Sequence, residues 1–219
     1  HPNIDAVKKQ LTDLAERFRR AEDYESARSI FLEREQLEKH IMTLFSLVEI
    51  RHSIDTRDKF YEEEMNFWNS VTPELEEYNQ EWTKAMLESS YRSDFENEYG
   101  TLMFLKAEME RKTFSPEIIP DLQKENEWKT AYEKLLASAQ IPFEGNVYTL
   151  SQMSPFKSDP NDDRRLAAWK AEGQWYKEHQ EELDELYDQL VHVRDTMGRK
   201  LGYDGYTQLG YYRMQRNCY

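Results

Sequence analysis

Apolar residues recur every three or four positions through most of the chain, with Glu, Lys, Gln and Arg between them. This spacing predicts helices carrying one buried stripe each. In IDAVKKQLTDLAERF the stripe is Ile4, Val7, Leu11, Leu14 and Phe18; a second segment repeats it with Ile30, Leu37, Ile41, Leu44, Phe45 and Val48. A third helix is predicted from about residue 58 to residue 69. Three prolines then mark predicted helix starts. Thr72-Pro73, Ser115-Pro116 and Asp159-Pro160 each place a side-chain acceptor at an N-cap and proline at the first helical position, where its missing N–H has no intrahelical partner to lose. From Pro160 the pattern predicts one long helix whose buried face is Leu166, Trp169, Leu183, Leu186, Leu190, Val193, Met197 and Leu201. Gly202 is placed to close it in a left-handed cap.

One stretch departs from the helical period. In IPFEGNVYTLSQMSPF the turn residues Glu144-Gly145-Asn146 lie between Phe143 and the run Val147, Tyr148, Leu150, which reads as a small β-hairpin near residues 142–151. The expected fold is all-α: a multi-helix array with one small hairpin, and no internal repeat. Two regions are expected, a helical one over 1–113 and a second helical one, carrying the hairpin, over 114–219.

Charge narrows the partners. With 43 acidic against 29 basic residues the net charge is −14, a field that repels nucleic acid and anionic membranes. The basic clusters, Lys8-Lys9 and Arg17, Arg19 and Arg20, are small and interleaved with acids. No apolar run approaches the roughly 20 residues of a membrane span. Cys218 is the one cysteine, so no intrachain disulfide forms. A cytoplasmic location is expected.

None of the five histidines, His1, His40, His52, His179 and His192, opens an H-E-x-x-H pair, in which a helix would set two metal ligands on one face. Glu49 and His52 form a single Glu-x-x-His, whereas a di-iron bundle needs two such pairs and two further glutamates; His52 is expected to be a surface or satisfied polar histidine. Asp184, Asp188, His192 and Asp195 read as a solvated helix face. Cys218 and the serines lack the context of a nucleophile, and no glycine-rich phosphate loop is present. The residues therefore offer no catalytic or metal-binding group.

What stands out instead is GRKLGYDGYTQLGYYRM, which holds four of the seven glycines and four of the fourteen tyrosines. The glycines suit a helix that stops, turns sharply and restarts near Thr207. The tyrosines suit a junction where rings pack while hydroxyls reach polar partners.

Longer phrases carry a family likeness. RHSIDTRDKFYEEEMNFW, KTFSPEIIPDLQKEN, YEKLLASAQIPFEGNVYTLSQMSPFKSDPNDDRRLAAW and ELDELYDQLVHVRDTMGRKLGYDGYTQLGYYRM follow one another in this order. In order and wording they resemble the oligoendopeptidase F family, zinc metallopeptidases related to thimet oligopeptidase, from about Leu32 to the last residue. The resemblance implies a mostly helical, clam-like cytosolic enzyme whose channel admits short peptides. It also implies a zinc held by the H-E-x-x-H histidines and a later glutamate. That motif comes later in the family's order than the phrases matched here, so no catalytic or metal residue carries over. The expectation is an N-terminal portion of a zinc-dependent endopeptidase acting on oligopeptides, itself inactive and binding no zinc. Tyr203, Tyr206, Tyr211, Tyr212 and Arg213 are the candidates for contact with the peptide channel, against a competing role in packing the junction. Apolar faces left uncovered are expected to favour self-association. The alternative from another class is a non-enzymatic helical scaffold or interaction domain; the ordered run of phrases counts against it.

Overall fold

In the computed structural model, which describes residues 1–216, ten α-helices and one antiparallel hairpin make up the regular structure. Cys218 lies outside the described residues. The helices are α1 (Ile4–Arg19), α2 (Tyr24–Ile54), α3 (Lys59–Leu87), α4 (Arg92–Tyr99), α5 (Leu102–Glu110), α6 (Ile119–Ala137), α7 (Leu150–Lys157), α8 (Asp162–Glu178), α9 (Gln180–Lys200) and α10 (Tyr206–Arg213). A single 3-10 turn, Pro116–Ile118, leads into α6. The all-α expectation with one small hairpin holds. Strands β1 (Ile141–Phe143) and β2 (Asn146–Tyr148) pair Phe143 with Asn146 across the two-residue turn Glu144-Gly145, both at positive φ. A mirror-image turn of this kind matches the twist of the flanking strands.

Two compact units divide the chain, residues 1–124 with 194–219 and residues 125–193. In the first, the α1 stripe is buried as expected: Val7 and Leu11 pack with Val71 and Leu75 of α3, while Leu14, Ala15 and Phe18 join Ile30, Phe31, Trp82 and Phe95. Val48 of α2 packs with Met65 and the fully buried Trp68. Asn3 and Asp23 cap α1 and α2 by accepting from the N–H groups of Ala6 and Ser26. The second unit has its own core of Leu135, Ile141, Phe143, Met153, Ala168 and Trp175. There Thr149 and Gln152 form a reciprocal capping box on α7, and Arg164 grips both oxygens of Glu144 at 2.7 and 2.8 Å, tying α8 to the hairpin turn.

Three local expectations are corrected. Pro73 does not start a helix; it lies buried inside the unbroken α3. The apolar stripe runs through it from Trp68 and Val71 to Leu75, and packing on both sides outweighs the hydrogen bond that proline removes. Thr72 donates its hydroxyl back to the Trp68 carbonyl at 2.9 Å instead of capping. At the second site, the N-cap of α8 is Asn161 rather than Asp159, whose carboxylate accepts from the Asn161 N–H and from Arg164. Finally, the predicted long helix is two helices separated at His179, whose ring stacks on Trp175. The break resets the phase. The inward face of α8 is Ala168, Glu172 and Trp175, so Leu166 and Trp169 are about half exposed, at 53% and 54%. Lys157 pairs with buried Glu172 at 2.7 Å and sets its ammonium 4.6 Å from the Trp169 ring. Along α9 the predicted stripe holds, with Leu190, Val193 and Met197 buried.

Candidate functional site

The glycine- and tyrosine-rich stretch builds the junction between α9 and α10. Gly202, at φ +85°, ends α9: its N–H reaches the Arg199 carbonyl and the Tyr203 N–H reaches back to Gly198, the paired bonds of a left-handed helix stop. Gly198 permits a close crossing, since a Cβ there would lie 2.2 Å from the Gly205 carbonyl oxygen. Lys200 at the end of α9 grips Asp121 of α6 at 2.6 Å. α10 is anchored from below by Leu209, fully buried against Ile118 and Met197.

With Leu209 turned inward, the flank of α10 carrying Gln208, Tyr211 and Tyr212 faces α5 across a cleft of about 580 Å³. Leu105, Glu108, Met109 and Lys112 line one wall; Gln208, Tyr211, Tyr212 and Arg216 line the other. Tyr211 is 46% exposed. The Lys112 ammonium stands 5.0 Å from the centre of the Tyr212 ring, close enough for a cation–π contact. Glu108 is held by Arg92 at 2.8 Å, which offsets the one carboxylate of the lining.

The other three sequence candidates sit beside the cleft. Tyr203 donates its hydroxyl to the Lys112 carbonyl at 2.8 Å, and its ring lies 5.9 Å from that of Tyr212. Burial, followed by the neighbouring Tyr212, raises its phenol above the usual tyrosine value. Tyr206 and Arg213 pair with each other, the guanidinium donating to the hydroxyl at 3.3 Å, and Arg194 stands over the same ring at 5.7 Å. The structure thus brings Tyr211 and Tyr212 into one cleft and places Tyr203 behind them, with Tyr206 and Arg213 outside its lining. Sequence reasoning missed Lys112 and the α5 wall. The phrase LMFLKAEME is short and apolar on more than one face, so its period does not single out the wall, where Leu105 is 47% exposed.

The dismissed clusters are also resolved. His52 is buried, at 2%, and its Nε2 has no hydrogen-bond partner in the structure, so it is neither a surface nor a fully satisfied histidine; Glu49 points to the exposed side of the same helix. His192 sits beside Asp188 at 3.2 Å with both side chains mostly exposed, and Asp195 pairs with Arg199 at 2.7 Å. Among the described residues no three His, Cys, Asp or Glu side chains converge on a metal position. Nor is any described helix long and apolar enough to cross a membrane.

The helical body has counterparts among known proteins. The family model of the peptidase M3 N-terminal domain matches residues 1–114, more than half of the chain, and the chain belongs to that family. Among solved structures it is similar over its whole length to PZ peptidase A with an inhibitor (39% identity, TM-score 0.94). It is likewise similar to a protein described as oligoendopeptidase F (37%, 0.95) and to another so described from Bacillus anthracis strain Ames (38%, 0.94). The chain spans 39%, 39% and 40% of the length of those three proteins. No curated protein matches it.

Proposed function

We propose that this chain is the N-terminal helical portion of a zinc-dependent, cytoplasmic endopeptidase that hydrolyses oligopeptides. In this reading it supplies peptide-contacting surface, while the reacting groups lie elsewhere in the complete protein. The observation that supports this best is the similarity of the whole of this chain to part of a peptidase solved with an inhibitor, joined to membership of a peptidase family. Residues 1–113 form the helical N-terminal region, and 114–219 lead towards the zinc-bearing part. No described residue of this chain would hold the zinc; bound elsewhere in the complete enzyme, it would supply Lewis-acid chemistry for peptide hydrolysis.

The role proposed for the residues described here is binding. Tyr211 and Tyr212 offer rings to peptide side chains and hydroxyls to peptide carbonyls, a combination suited to many sequences. Tyr203, Tyr206 and Arg213 act as positioning residues for that wall. The complete enzyme carrying Tyr211→Ala and Tyr212→Ala is expected to show a KM for oligopeptides raised about tenfold, with kcat nearly unchanged, equivalent to roughly 1.4 kcal/mol of uniform binding. An unchanged KM removes the cleft from the substrate path. Chelation of the complete enzyme abolishes hydrolysis and zinc restores it; hydrolysis that survives chelation refutes the zinc-dependent reading.

A further inference from the structure

Where α2, α3 and α5 meet, one buried guanidinium hydrogen-bonds one carboxylate and stands near two others. Arg34 of α2 is 4% exposed. Its Nη1 donates to Glu38 at 3.0 Å and its Nη2 to Asn79 at 2.6 Å, while its buried Nε has no partner. Asn79 and Gln80 of α3 in turn donate to the two oxygens of Glu76 at 3.3 and 2.8 Å. Gln80, itself buried, also reaches the Glu110 carbonyl at 3.2 Å. The Glu110 carboxyl, at the end of α5, hydrogen-bonds with Thr83 and faces Glu76, Glu38 and Arg34.

The surrounding cations do not balance this cluster. Arg111 donates its Nη1 to the Gln80 backbone and side-chain oxygens at 3.2 and 3.4 Å, not to a carboxylate. Of the two other helices packed on α5, α4 contributes Arg92, which is paired with Glu96 and Glu108, and α10 contributes Arg213, which donates to Tyr206. The Glu38 side chain is 52% exposed and screened by solvent, so the half-buried Glu76 and Glu110, both ionised, would leave one negative charge in excess over Arg34 at the helix interface. Repulsion there is several times stronger than in bulk water.

We propose that Glu76 and Glu110, joined through Gln80 beside the single guanidinium of Arg34, form a pH-sensitive latch that loosens the packing of α2, α3 and α5 as pH rises. Burial, then the charges of Glu76 and Glu38, push the Glu110 carboxyl up to about 7, and burial raises Glu76 as well. The sign follows from linkage. The unfolded chain gives up the Glu110 proton near the ordinary value of 4.5, so between there and about 7 the folded state binds more protons. The stability it contributes is complete below the unfolded value and is lost as pH rises through about 7. The exposed carboxylates Glu98 and Glu144, held below their usual range by Tyr24 and Arg164, behave in the opposite sense.

Thermal unfolding of the full chain from about pH 5 to about pH 9, beside Glu110→Gln, tests this. The variant mimics the protonated carboxyl at every pH. Relative to it, the wild-type folding equilibrium is expected to fall on the order of a hundredfold between about pH 5 and about pH 8, so the variant overtakes the wild type in alkali. A variant whose midpoint tracks the wild type throughout overturns the proposal. Carboxyl-carbon NMR titration of the unmodified chain decides the matter even if the variant fails to fold. A midpoint near 7 for Glu110 upholds the latch; an ordinary carboxylate midpoint for Glu110 refutes it.

Discussion

Gly198 and Gly173 both lie inside helices, yet they answer to different demands. At Gly198 an added Cβ meets backbone, the Gly205 carbonyl at 2.2 Å, which cannot rotate away. At Gly173 nothing lies within 4 Å and the residue is exposed. Gly173→Ala is therefore expected to stabilise the protein by about 0.5–1 kcal/mol, because alanine has less backbone entropy to lose. Gly198→Ala is expected to cost about 1–3 kcal/mol through overpacking. Denaturant unfolding of the two variants checks the pair, and equal effects would contradict it. Composition alone treats these glycines alike. The clustering in GRKLGYDGYTQLGYYRM pointed to a turn, but the close approach at Gly198 depends on where Gly205 arrives in space. The same holds for Arg34 and Glu110, whose relation spans three helices and leaves no local sequence trace.

Among the elements, α10 links fold to site. It has no side-chain N-cap bond, so Leu209 carries much of its attachment through burial against Ile118 and Met197. Leu209→Ala is expected to cost about 2–5 kcal/mol and to speed limited proteolysis at Arg213 ahead of sites in α1–α3. Uniform acceleration along the chain would show instead that α10 does not loosen separately. Helix existence was legible wherever the period was long, as in α1, α2 and α9. Helix boundaries were not. Proline at 73 is locally a start signal, and only the continuous contact of Trp68, Val71 and Leu75 makes it an interior residue. At His179 the period ran on while the chain broke, so Leu166 and Trp169 were assigned to a face that α8 turns outward.

On the scale of the whole molecule, the unit of residues 125–193 buries Met153, Ile141 and Ala168 completely in a core made only of its own side chains. Met153→Ala is expected to destabilise by about 2–5 kcal/mol. Hydrogen exchange should quicken across residues 125–193 while amides of α1 to α3 keep their protection; loss of protection in both regions together would mean that the chain unfolds as a single unit. Periodicity, the proline and glycine positions and the hairpin turn determined the all-α class, because hydrogen bonds within a helix or a tight hairpin are local and need only the residues at hand. The family phrases determined the relationship to peptidases. The tertiary structure decided the rest: which side of α8 is buried, that Tyr211 and Tyr212 share a cleft with Lys112, and that Glu76 and Glu110 come together through Gln80 near Arg34. Those features depend on side chains far apart in sequence meeting in a low-dielectric interior, where the cost of an unmatched charge or a lost contact is set by the neighbours.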